Sequence, residues 1–245
     1  MTEAKQESAT GRIWTSIGFL FVFAAGAFAE NMGFFEFAKE YPDEIWALFL
    51  EHLQLVGISS CIAISIGVPT GVLLTRGFMR HYREWILNFF GIFQTVPSLA
   101  VIAIAMTYVG IGKTPAILAL VIYGLLPIIR NTVAGIANVD PVILDAGRGM
   151  GMTPAQLLFK AELPNAMYII LTGIRTSTVI NVGTAALSFL VGGGGLGDLI
   201  FTGIALVDPA YMLAGAVPTA LLAVFINWIF GYIEKWIVSP GLVYE

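Results

Sequence analysis

Residues 53–75 read LQLVGISSCIAISIGVPTGVLLT, 23 consecutive residues without a single charged side chain. A helix needs about 20 apolar residues to cross the hydrocarbon of a bilayer, so this stretch can span one. Other stretches repeat the pattern. Residues 13–29 are uncharged, residues 85–112 add 28 more, 114–129 run up to Arg130, 166–197 are interrupted only by Arg175, and 209–233 close the series. The composition agrees: 58% of the 245 residues are hydrophobic and 11% charged, against about 25% charged in a soluble domain. Mean hydropathy is +0.86. A water-soluble core of this length could not cover so much apolar surface, so lipid must solvate it. The expectation is an all-α integral membrane protein of six spans, at about 13–29, 53–75, 85–109, 114–137, 166–190 and 211–235, in one domain over 1–245.

The same inventory excludes other classes. A net charge of −4 gives no footprint for nucleic acid. One cysteine, Cys61, and two distant histidines, His52 and His81, supply neither a disulfide framework nor a metal cluster. No cofactor or metal is expected on this chain. The first span has a rival reading, because Ala27-Phe28-Ala29 before Glu30 has the small-x-small form of a signal-peptidase site. The preceding charges, Glu3, Lys5, Glu7 and Arg12, are too mixed for the usual leader, and retention is the expectation.

Orientation follows from the basic residues. With the N-terminus inside, the cytoplasmic segments hold Lys5, Arg12, Arg76, Arg80, Arg83, Arg130, Arg148, Lys160 and Lys235, and the outer ones only Lys39 and Lys113. The outer side carries Glu30, Glu36, Glu40, Asp43, Glu44, Glu51, Asp198 and Asp208 instead. Both termini are therefore expected in the cytoplasm. Trp14, Trp46, Trp85 and Trp236, near span ends, read as interface anchors.

One inside loop, 140–164, differs from the rest. Asp140-Pro141 is a helix start, since aspartate caps free N–H groups and proline suits the first turn. Thr153-Pro154 repeats the signal thirteen residues on, with Gly147, Gly149 and Gly151 between, where the backbone can bend. Leu163-Pro164 is expected to close the second short helix before the membrane. By pattern alone this is an amphipathic surface hairpin between two spans.

The residues say more. Asp145-Ala146-Gly147, Gly151 and Leu163-Pro164 resemble the "EAA" signature of ABC importer permeases, E-A-A, three residues, G, nine residues, an aliphatic residue, any residue, L-P. Asp145 replaces the glutamate, Gly147 the second alanine, and Ala161 stands at the aliphatic position. Gly147 makes a helix less stable than alanine would by ~1 kcal/mol. Further stretches are similar to the glycine betaine/carnitine/choline (osmoprotectant) ABC permease family: Gln94–Leu99, Leu126–Thr132, Gly149–Thr153, Gly173–Thr184 and Gly192–Asp198.

That resemblance implies a division of labour. Two permease copies, identical or paralogous, form the pathway. A cytoplasmic ATPase pair uses ATP and magnesium, and a periplasmic or lipid-anchored binding protein delivers the solute. Asp145, Ala146, Gly147, Gly151, Met152, Leu163 and Pro164 become the ATPase-coupling candidates. Arg175, Asn181, Gly193 and Gly194 become candidates for the pathway or its gate. Arg175 has two readings, facing protein or a water-filled cavity, or snorkelling to the interface. The glycines at 192–195 likewise read as a flexible turn or as a close approach near the outer gate.

Gly110-Ile111-Gly112-Lys113-Thr114 ends like a P-loop, but Thr107 stands where the first glycine belongs. It reads as a turn between spans. Pro69, Pro97, Pro127 and Pro218 lie in or near spans and take no assigned role. The alternative to an ABC permease is an ion-coupled secondary transporter of a small zwitterion. That class favours carboxylates deep in the spans and internal repeats, and neither is evident.

Overall fold

The computed structural model describes residue 26 and residues 29–237. The expected span at 13–29 lies outside the described residues except at its C-terminal edge. Every regular element among the described residues is helical: α1 Phe34–Glu40, α2 Pro42–Leu74, α3 Arg83–Thr95, α4 Ser98–Val109, α5 Lys113–Ala137, α6 Pro141–Gly149, α7 Pro154–Leu157, α8 Leu163–Ala185, α9 Gly197–Leu206 and α10 Pro209–Ile237. Short turns of tighter or wider helix join several of them, at Gly77–Tyr82, Leu158–Glu162 and Ala186–Val191.

Among the described residues four helices are long and apolar enough to cross a membrane: α2, α5, the rod Pro154–Val191 and α10. The pair α3 and α4 makes a fifth only if it counts as one broken span, because the two meet at 99°. The span expected at 85–109 is thus made of two helices, α3 and α4, with a sharp break between them. Pro97 biases Val96 towards extended backbone, and Val96 has φ −79° and ψ 134°. The break is tied to α5. The Tyr123 hydroxyl donates to the Val96 carbonyl, and Gln94 Nε2 donates to the Tyr123 carbonyl at 3.4 Å. That carbonyl lost its helical donor to Pro127, four residues on, and a neighbouring side chain supplies the missing bond.

α5 is the central element, buried along most of its length. It can be central because small residues let its neighbours approach. A Cβ on Gly71 of α2 would lie 2.5 Å from the Thr132 Cβ, and one on Gly67 2.8 Å from Ile128 Cγ2. On the other flank, a Cβ on Gly173 of α8 would meet the Asn131 Cβ at 2.5 Å. Core residues Leu55, Val56, Leu120, Tyr123 and Val182 join α2, α5 and α8. By contrast α10 packs on α9 and α8 with an outward face that includes Leu221, Val224, Phe225 and Trp228.

Candidate functional site

The 140–164 loop folds as two capped helical pieces around one bend. The Asp140 carboxylate accepts the Val142 N–H at 2.8 Å, opening α6. At Thr153 the cap is reciprocal: its hydroxyl accepts from Gln156 N at 3.3 Å and its own N–H donates to Gln156 Oε1 at 2.9 Å. The bend is at Gly151 alone, with φ 76°. Gly147 and Gly149 lie inside α6, which corrects the expectation that all three bend. Gly147 has a packing task instead. It is buried, and a Cβ there would sit 2.7 Å from Leu157 Cδ1 and 3.3 Å from Met152 Sδ. That contact seats α6 against α7.

The expected stop at Leu163-Pro164 is also corrected. Residues Leu158–Glu162 form a π turn that runs directly into α8, so α7, the turn, α8 and the tighter turn Ala186–Val191 make one continuous helix, Pro154–Val191. A π turn rearranges the backbone bonding just where Pro164 offers no N–H. Leu163 packs with Ile136, Val139, Ala166 and Ile170. Asp145 and Ala146 stay exposed, and Arg148 Nη1 donates to Asp145 Oδ1 at 2.8 Å. Val142 and Met150 expose 72% and 71% of their surface, an apolar edge on an otherwise polar hairpin.

The hairpin is anchored by a pair that sequence reasoning missed. Glu162, on the π turn, is 5% exposed. Arg76, just past α2, grips it with both terminal nitrogens, Nη1 to Oε1 at 3.1 Å and Nη2 to Oε2. Arg76 entered the sequence analysis only through its charge, and nothing local points to a partner so distant.

The pathway candidates separate. Arg175 Nε donates to Asn227 Oδ1 at 2.7 Å and Nη1 to Glu234 Oε2 at 3.2 Å, so the guanidinium joins α8 to α10. Glu234 is 9% exposed, a carboxylate inside the expected last span that the sequence reading passed over. Asn181 turns the other way. It is fully buried between α8 and α2, with Nδ2 at 3.4 Å from Ser59 Oγ and 3.5 Å from Ser60 Oγ.

Gly193 and Gly194 belong to a tight turn at the opposite end from the hairpin. Ser188 Oγ donates to the Gly194 carbonyl at 2.7 Å. The Glu51 carboxylate lies so close to Gly194 that a Cβ would meet Oε2 at 2.2 Å. Glu51 also accepts the Gly195 N–H at 3.3 Å and pairs with Lys113 at 3.3 Å. Lys113 in turn donates to Gln54 Oε1 at 3.1 Å. The stretch that ends like a P-loop is thus a turn between α4 and α5 whose lysine is taken by side chains of α2. Asp198 nearby has its carboxyl pKa raised, first by burial, then by Glu51 and Glu44. Among the described residues no group of three or more histidine, cysteine, aspartate or glutamate side chains is placed to hold a metal.

With this geometry in place, residues 67–239 match the model of the family described as binding-protein-dependent transport system inner membrane component. The choline transport system permease protein OpuBB of Bacillus subtilis is 43% identical over 207 residues, 84% of this chain and 94% of that protein. The osmoprotectant import permease protein OsmY of Salmonella typhimurium is 45% identical over 192 residues, 78% of this chain and 81% of that protein. Among solved structures, the inward-facing MetNI methionine ABC transporter superposes with a TM-score of 0.68 at 23% identity, covering 80% of this chain and 94% of that one. An amino acid ABC transporter crystallised with histidines gives 0.69 at 17%, covering 82% and 97%. At those identities the two structures speak for the fold.

Proposed function

Because the chain belongs to the family of binding-protein-dependent transport system inner membrane components, we propose that it is the permease subunit of an ABC importer for an osmoprotectant. The solute is a quaternary ammonium compound of the glycine betaine, choline or carnitine type. The observation that carries this reading is identity of 43% and 45% to choline and osmoprotectant permeases over most of the chain. The family match also weighs against the ion-coupled alternative, since a binding-protein-dependent system takes its substrate from a carrier protein.

Two copies line the pathway in the inner membrane, with both termini cytoplasmic. A separate ATPase pair binds ATP and magnesium and performs the hydrolysis. α6 enters a cleft on the ATPase, and exposed Val142, Ile143 and Met150 give it an apolar face for that contact. Closure of the ATPase pair pushes on α6. The load passes through the Gly147–Leu157 contact into α7, then along the unbroken rod through the π turn into α8. The Arg76–Glu162 pair carries part of it to α2. The binding protein delivers solute at the other end, where Glu36, Glu40, Asp43 and Glu44 are exposed.

The test is Ala146→Trp, which adds bulk on the exposed side of α6 and leaves the Gly147 contact alone. Copurification with the ATPase and uptake of labelled glycine betaine should both fall while the permease itself stays folded. Retention of both would contradict the docking role.

A further inference from the structure

A cavity of about 280 Å³ opens at the basic end of the bundle, between the segment after α2, the end of α5 and the α6 hairpin. Four arginines line it, Arg76, Arg80, Arg83 and Arg148, against one carboxylate, Glu162. The coupling scheme uses only the Arg76–Glu162 pair. Arg83 and Arg148 are paired with Glu84 and Asp145, but those carboxylates are 72% and 71% exposed. Exposed pairs of this kind exchange at little cost. Arg80 has no side-chain partner among the described residues. The Nε of Arg76 is buried and likewise unpartnered. Even with Glu84 and Asp145 counted, the neighbourhood keeps an excess positive charge.

The depth of the cavity is informative. The rest of its wall is Thr75 and the apolar side chains of Ile136, Ala137 and Leu144. Trp85, two residues past Arg83, is 77% exposed, as befits an anchor at the boundary between hydrocarbon and water. The cavity therefore opens at headgroup level. Guanidinium forks match phosphate oxygens in pairs, and basic pockets between spans are the usual receptors for phosphate headgroups.

We propose that this cavity is a phosphate-binding site, filled by the phosphodiester of an anionic phospholipid or by a soluble phosphate. A bound phosphate bridges arginines from three segments, the connector after α2 (Arg76 and Arg80), the first turn of α3 (Arg83) and α6 (Arg148). It thereby braces the hairpin against the membrane core. The site is independent of which solute is carried. A carboxylate of the ATPase is the competing occupant. The small concave shape and headgroup depth favour phosphate.

The test uses the permease with its ATPase in nanodiscs of equal phosphatidylglycerol and phosphatidylcholine, followed by native mass spectrometry. Wild type should retain phosphatidylglycerol in preference to phosphatidylcholine, and Arg80→Gln should cut retention about fivefold, the usual worth of one arginine near an anionic surface. Arg80→Gln/Arg83→Gln should cut it further, and Arg80→Lys should keep most of it. In phosphatidylcholine discs, a rise in melting temperature with inorganic phosphate, lost in Arg80→Gln, would assign the site to a soluble phosphate. Lipid retention indifferent to all these variants, with no phosphate-dependent shift, would overturn the proposal. A cross-link placing an ATPase carboxylate in the cavity would overturn it too.

Discussion

Arg76 and Glu162, 86 positions apart, form a two-pronged ion pair that fastens the root of the 140–164 hairpin to the end of α2. Glu162 is buried and Arg76 about one-third exposed at the side chain. Removing one partner of a buried pair strands the other, and partial exposure of Arg76 moderates the loss.

Arg76→Gln should therefore destabilise the protein by ~2 kcal/mol, less than a fully buried pair would lose. ATPase activity should respond less to the transport cycle. In thermal unfolding, the charge-reversed double variant Arg76→Glu/Glu162→Arg should recover part of the loss. Strict additivity of the two single changes would mean the residues are not coupled.

The glycines of the hairpin should separate cleanly. Gly149 has open space for a Cβ and ordinary helical backbone, so Gly149→Ala should be neutral or stabilising by up to ~1 kcal/mol. Gly151 has φ 76°, where a side chain costs about 1–2 kcal/mol. Gly151→Ala should lower both melting temperature and coupled uptake. Equal effects at the two positions would contradict a single bend.

Arg175 is bonded to α10 through Asn227 and Glu234. Arg175→Leu strands the buried Glu234 and should cost ~3 kcal/mol, seen as poor folding yield before any loss of uptake. Arg175→Leu/Glu234→Leu should recover yield. A well-folded Arg175→Leu variant that cannot transport would instead assign the guanidinium to the pathway.

Asp198 gives a pH signature. Its folded pKa is raised above the ordinary value of 3.8 by burial, with Glu51 and Glu44 adding to it. The folded state then binds this proton more tightly than the unfolded state. Its effect on stability worsens as pH rises from the unfolded pKa through the folded one and stays unfavourable above. Asp198→Asn should raise the melting temperature at neutral pH, and the gain should shrink as pH falls towards 3.8. A gain that does not vary with pH would rule out the titration.

Much of this was legible in local sequence. The caps at Asp140-Pro141 and Thr153-Pro154 have compositional signals and appear where expected. The span expected at 114–137 nearly coincides with Lys113–Ala137, because Gly112 and the polar 138–140 segment bound it. Where hydropathy and helix part company, the reading slipped. α2 begins at Pro42 rather than near residue 53, since Asp43, Glu44 and Glu51 lower hydropathy without ending a helix. The 99° break near Pro97 is invisible to an average over apolar residues. The π turn that carries the helix past Pro164 has no compositional signal at all. The pairs Arg76–Glu162 and Arg175–Glu234 depend on which turns of separate helices meet, and periodicity reports a face but not its register against a neighbour.

The most direct measurement is uptake of labelled glycine betaine, choline and carnitine into proteoliposomes holding the permease with its ATPase and binding protein. The expected result is accumulation of at least one of these solutes that requires ATP and the binding protein, and is lost in Ala146→Trp. Accumulation that follows a proton or sodium gradient without ATP would contradict the account.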